Sequence, residues 1–227
     1  ATYTLTVTAH NRVTYIATVT QVPPSGPWID VEEATWQDNN NDEPEFGESG
    51  ALSLKLKNSG SEPSAALTLT LSCSTTGVTL TNNTHQTDAI AAGVTVDIHS
   101  AFGIQLADNL LDGTELNFSL SITSGTQSWT HEFVLIAKAP ALALGDILVN
   151  DSTGNNSGTL DPGENVNLII TILNNGAAAS PAGSVSLSSP TTGITIGTSS
   201  IDIQSIAAGA SIQVSFPVSV SASMPQG

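Results

Sequence analysis

Apolar and polar residues alternate along most of this chain. Leu52, Leu54 and Leu56 interleave with Ser53, Lys55 and Lys57, and Leu67, Leu69 and Leu71 with Thr68, Thr70 and Ser72. Phe118, Leu120 and Ile122 repeat the pattern, as do Val166, Leu168, Ile170 and Ile172. A period of two sends successive side chains to opposite faces of a strand, so one face is buried and the other stays wet. β-Branched residues are plentiful, and no apolar stripe of helical period and length interrupts the pattern. About seven short strands in ~110 residues, separated by turn residues, predict a two-sheet antiparallel sandwich. The expected fold class is all-β.

The pattern repeats. At an offset of 116, Glu48 falls on Glu164, Asn58 on Asn174 and Gly60 on Gly176. The same offset places Thr75-Thr76-Gly77 on Thr191-Thr192-Gly193 and Ile90-Ala91-Ala92-Gly93 on Ile206-Ala207-Ala208-Gly209. A repeat held without a gap over this span defines a structural unit. The expected organisation is one complete sandwich module at 27–140 and a second copy at 141–227 without its last strands. In the first copy, Asp112-Gly113-Thr114 leads into two strand-like runs, Glu115–Thr123 and Gln127–Ala137, and the second copy stops where these would begin. Residues 1–26 read as such an ending: alternating runs Thr2–Thr8 and Thr14–Val22, then a stiff Pro23–Pro27 linker. Both ends of the sequence read as cuts through a longer protein. No basic-then-apolar targeting head opens it.

Composition narrows the function. Only 11% of residues are charged, against about 25% in an average soluble protein. Ser and Thr, 28 of each, fill the gap. Twenty acids against four bases give a net charge of −16. Arg12, Lys55, Lys57 and Lys138 are scattered, so nucleic acid is excluded as a partner, because phosphate neutralisation needs clustered cations. An anionic membrane surface is disfavoured on the same ground. No apolar run approaches the ~20 residues that cross a bilayer as a helix, so membrane insertion is not expected. A lone Cys73 rules out an internal disulfide and a cysteine zinc cluster.

The acids are not spread evenly. Residues 30–48 hold eight and 146–164 hold four, so 12 of the 20 lie in two windows at matching places in the repeat. Each window falls between the first and second strands of its copy. Crowded like charges need a counter-charge, and few Lys or Arg are present to supply one. Asp, Asn and Glu oxygens suit Ca²⁺, which takes 6–8 hard ligands at about 2.3–2.6 Å. In the first loop the candidate ligands are Asp38, Asn40, Asp42, Glu45 and Glu48. In the second, three residues longer, they are Asp151, Asn155, Asn156, Asp161 and Glu164. Neither loop is an EF-hand, because the glycine and glutamate of that loop are missing and strands flank it. A solvated acidic loop is the competing reading; recurrence at matching positions favours the ion.

Other chemistry is thin. Cys73 ends a strand, its counterpart is Ser189, and no paired His adjoins it. His10, His85, His99 and His131 lack metal-ligand spacing. Trp28, Trp36 and Trp129 could stack on sugars, but the core is the commoner home for Trp. A glycosidase carboxyl pair needs one acid in an apolar pocket, the opposite of these Asn-rich loops.

Asn156-Ser157-Gly158-Thr159-Leu160-Asp161-Pro162-Gly163-Glu164, followed by Asn174-Asn175-Gly176, resembles the "GxLDPGE…NNG" opening of a β-sandwich module. Such immunoglobulin-like modules follow the catalytic domain in gingipain-type secreted cysteine peptidases and related surface proteins of Bacteroidetes-like bacteria. The run Leu5–Val19 is similar to the end of the immunoglobulin-like domain that closes a gingipain catalytic unit. The first copy departs from the motif, with Glu45-Phe46-Gly47-Glu48 in place of Asp-Pro-Gly-Glu. The resemblance implies tandem immunoglobulin-like accessory modules of a secreted or cell-surface protein, with any peptidase domain upstream of Ala1.

The expected function is therefore a non-catalytic, calcium-stabilised spacer. Its expected partners are neighbouring domains of the same polypeptide and other copies of itself. The alternative is an adhesin or fibre-forming subunit that assembles by strand donation or binds surface glycans.

Overall fold

The computed structural model describes residues 2–20, 22 and 24–225. Pro23, part of the expected linker, lies outside the described residues, as do Ala1 and the last two positions. Every regular element among the described residues is a strand, and no helix forms. The chain makes two compact units. One comprises Ala1–Glu43, Ser49–Gln105 and Leu116–Leu135, and the other Pro44–Glu48, Leu106–Glu115 and Ile136–Gly227.

The first unit opens with β1 (Thr2–Val7) and β2 (Tyr15–Thr20), an antiparallel hairpin in which Leu5 faces Ala17 and Val7 faces Tyr15. Asn11 takes a left-handed φ of 54° in its turn, a conformation that Asn tolerates better than most residues. Then follow β3 (Ile29–Gln37), β4 (Ser49–Asn58), β5 (Leu67–Cys73), β6 (Val78–Asn82) and β7 (Thr84–Thr87). The last strands are β8 (Thr95–Leu106), β9 (Glu115–Ser124) and β10 (Gln127–Ile136). They form two four-stranded sheets, ordered β3-β4-β8-β6 and β10-β9-β5-β7. The alternation read from sequence is the cause. Leu67, Leu69 and Leu71 on β5 and Leu116, Phe118, Leu120 and Ile122 on β9 are all buried, as are Leu52, Leu56, Phe102 and Ile104 from the other sheet. Inward apolar faces on two antiparallel sheets make a sandwich-like core.

The period fails at one place, for a local reason. Ser53 is buried between Leu52 and Leu54, where the β4–β8 register shifts. Its hydroxyl accepts the N–H of Ser100 at 2.9 Å and bonds to Gln37. Ser100 itself has φ 49°. The bulge buries a hydroxyl, which is why that hydroxyl is paired.

The second unit contains β11 (Leu142–Asn150), β12 (Asn165–Asn174), β13 (Gly183–Ser186), β14 (Ile194–Ile196), β15 (Ser200–Ile203) and β16 (Ser211–Val220). One sheet runs β11-β12-β16-β14, and β13 pairs only with β15 in the other. Ile170, Val214 and Phe216 from the larger sheet share a core cluster with Ile203 and Ile206, with Val185 and Leu187 packed against it.

One polar device recurs in both units. Asn58 is fully buried. Its Oδ1 accepts the N–H groups of Trp28 and Gly60, each at 3.0 Å, and its amide donates to the carbonyls of Glu62 and Ile90. In the second unit, Asn174 accepts from Ala141 and Gly176 and donates to Ala178 and Ile206. Ser64 and Ser180 repeat likewise, each accepting the N–H of an isoleucine, Ile90 or Ile206. These side chains close loops whose backbone groups water cannot reach. The correspondence is 113 before each acidic loop and 116 after it, which places the three extra residues inside the second loop.

Candidate functional site

Each acidic loop joins the first two strands of its sheet, β3 to β4 or β11 to β12. At the offset of 113, Asp38 corresponds to Asp151, each one residue past the end of a strand.

In the first unit, Asp38 is a loop organiser. Its Oδ1 accepts the N–H of Asn40 at 2.7 Å and those of Asn41 and Asp42 at 3.1 Å. Its Oδ2 accepts the indole N–H of Trp36 at 2.9 Å. Asp42, at φ 58°, returns a bond by accepting the N–H of Asp38. The Asn40 N–H and then the Trp36 indole hold the Asp38 carboxyl below its ordinary pKa, because donors favour the ionised form. The structure thus brings Asp38, Asn40 and Asp42 together. Glu45 and Glu48 belong to the other unit, where the Glu48 carboxylate accepts the N–H of Glu45 at 3.3 Å and the Glu48 N–H donates to the Glu45 carbonyl.

The second loop is more tightly knit. Asp151, only 2% exposed, accepts on Oδ2 from the Gly158 N–H at 3.1 Å and from the Ser157 hydroxyl at 3.3 Å. That same Ser157 oxygen lies 2.9 Å from Asp161 Oδ2. Asp161 Oδ2 also accepts from the Asn155 amide at 2.8 Å and from Thr159 Oγ1 at 3.2 Å. Asn155, then Ser157 and Thr159, hold the Asp161 carboxyl below its ordinary pKa. The Glu164 carboxylate accepts the N–H groups of Asn155 and Asp161 at 3.1 and 3.4 Å. A Cβ on Gly154 would stand 2.6 Å from Glu164 Oε1. Asn156 supplies a turn at φ 57°.

The structure therefore brings Asp151, Asn155, Asp161 and Glu164 into one loop. Sequence reasoning missed Ser157 and Thr159, whose hydroxyls join the carboxylates, and Trp36, whose indole caps Asp38. The signal for Trp36 was its position two residues before the aspartate on the same side of the strand. Among the described residues, no three His, Cys, Asp or Glu side chains converge into a group able to hold a metal. As a donor set, the second loop fits a hard cation in part, with two carboxylates meeting at one hydroxyl among oxygen ligands. The first fits less well, because both Asp38 oxygens already accept N–H donors.

Cys73 is half-buried at the end of β5. Trp36 is buried and Trp28 is 45% exposed. His131 bonds the carbonyl of Ile29 at 3.0 Å. No protein-family model matches the sequence, and no curated protein matches it.

Proposed function

We propose that this chain is a structural, non-catalytic part of a large secreted or cell-surface protein, built as tandem immunoglobulin-like sandwiches that space other domains. In this reading, residues 27–140 and 141–227 are two copies of one module, and 1–26 are the closing strands of a preceding domain. The opening-motif resemblance supports a place beside a gingipain-like peptidase domain.

One observation carries the reading. The buried polar side chains among the described residues are Ser53, Asn58, Ser64, Ser124, Asp151, Asn174 and Ser180. Each bonds to backbone: Ser124 to Ala65, Asp151 to Gly158, and the others as given above. A catalytic site holds polar groups ready for a substrate. Here the buried polarity is committed to main chain, and much of it recurs at equivalent positions. That is the pattern of a scaffold.

Ca²⁺ is the stabilising ion in this reading. At the second loop, Asp151 and Asp161 would hold it with the hydroxyls of Ser157 and Thr159, and it would supply the positive charge that the converging carboxylates lack.

Pulling the 227-residue chain in series with reference domains tests the spacer. Two unfolding steps are expected, releasing about 400 Å and about 300 Å of chain at roughly 3.5 Å per residue. A single step, or none above background, would refute it.

A further inference from the structure

The two units treat equivalent strands differently. In the first, β5 pairs with β7 on one edge and with β9 on the other. In the second, β13 pairs with β15 in the matching register, Gly183 to Ile203 as Leu67 to Thr87. Among the described residues, no strand pairs with its other edge. The consequence reaches the core. Leu52, Leu69 and Leu71 are at most 1% exposed under the β9–β10 hairpin. Their counterparts Leu168, Val185 and Leu187 are only half-buried. A groove of about 640 Å³ opens beside them, lined by Leu160, Leu187, Ile194, Ile196 and Val218.

The first unit shows the kind of element that closes such an edge: an antiparallel hairpin whose first strand, β9, pairs along six residues of β5. The chain carries a hairpin of that kind with its apolar face bare. On β1 and β2, the side chains of Leu5, Val7, Tyr15 and Val19 lie on one face and are 48–62% exposed. Each strand is six residues long. Charge favours the match. Residues 1–22 contain Arg12 and none of the 20 acids, all of which lie from Asp30 onward.

We propose that the β1–β2 hairpin of one copy docks on the second unit of another, with β1 taking beside β13 the place that β9 takes beside β5. Strand addition pairs the exposed edge groups of β13, and the apolar face of the hairpin fills the groove. Because donor and acceptor are different surfaces, the contact is heterologous, and repetition gives open chains of copies. The inference rests on the repeat and on these two surfaces, not on Ca²⁺ or on the spacer role.

Sedimentation of the 227-residue chain from about 1 µM to about 1 mM tests it, with two variants. Leu5→Lys spoils the donor, and Leu187→Asp spoils the acceptor. The wild type is expected to form oligomers that grow with concentration. Each variant alone is expected to weaken association by about thirtyfold or more. An equimolar mixture, which retains one sound donor and one sound acceptor, is expected to stop at a dimer. A monomeric wild type throughout would overturn the proposal. So would wild-type oligomers that both variants preserve, or a mixture that stays monomeric while both variants melt as the wild type does.

Discussion

Asn58 Oδ1 accepts the backbone N–H of Trp28 at 3.0 Å, joining positions 30 residues apart at the mouth of β3. The same side chain ties down Gly60, Glu62 and Ile90. One buried amide thus holds four backbone groups that would otherwise be buried without partners. Asn58→Asp keeps the shape but replaces both N–H donors with an oxygen facing two carbonyls. The expected loss is about 3 kcal/mol or more, since each orphaned buried group costs about 1–3 kcal/mol. Urea unfolding measures it. A loss under about 1 kcal/mol would show that the network is dispensable.

Gly60 and Gly176 sit where backbone crosses backbone. A Cβ at Gly60 would stand 2.2 Å from the carbonyl oxygen of Gly26, and one at Gly176 would stand 2.2 Å from that of Ala139. Neither obstacle is a flexible side-chain tip. Gly60→Ala and Gly176→Ala are each expected to cost about 3 kcal/mol, the upper range of overpacking. Gly183→Ala is the control, because nothing lies within 4 Å of its Cβ position. Its stability should hold or rise by up to about 1 kcal/mol through loss of unfolded-state freedom. Equal melting temperatures for all three variants would contradict the geometry.

Acid should weaken the loops in a predictable direction. Asp38 and Asp161 both have carboxyls held below the ordinary value of 3.8. A carboxyl depressed in the folded state contributes stability in full above its unfolded pKa and loses it as pH falls through the folded one. The contribution of these two groups is therefore constant from neutral pH to about pH 5 and drains below about pH 4. Both groups are solvent-accessible, so the effect is small. Asp38→Asn should flatten the acid limb of the melting curve and release the Trp36 indole, seen as a shift in fluorescence. An acid limb identical to wild type, with unchanged emission, would remove Asp38 from this role.

The sheets were legible because period-two alternation and burial have one physical cause, and the strands fall where the alternating runs are. Asn58 and Asn174 were visible as a coincidence of the repeat, but their role was not, since it depends on carbonyls up to 32 residues away. Ser53 broke the pattern because a bulge shifts the register, and nothing in Leu52-Ser53-Leu54 announces a bulge. In the acidic loops the residue types were right and the geometry was hidden. Charge counting brings out carboxylates, whereas Ser157, Thr159 and the Gly158 N–H, which knit the second loop, carry no charge to notice.

Ca²⁺ is the sharpest remaining question for the second loop. Asp151 Oδ2 and Asp161 Oδ2 lie 3.3 and 2.9 Å from one oxygen, that of Ser157. A hydroxyl has one proton, so Ser157 can donate to only one of these carboxylates at a time. A cation would satisfy both. If the site binds at the strength of an extracellular module, with a dissociation constant of about 10⁻⁴ M, then 1 mM ion stabilises by about 1.4 kcal/mol. That corresponds to a rise of a few degrees in melting temperature for a domain of this size. EDTA should reverse the rise, Mg²⁺ should give less of it, and Asp161→Asn should abolish it. Asp38→Asn should leave the shift in place, because Asp38 already spends its oxygens on Asn40, Asn41, Asp42 and Trp36. Should wild type melt at the same temperature in EDTA and in millimolar Ca²⁺, the hydroxyls and backbone donors alone hold the loop, and its acids serve as acceptors for them.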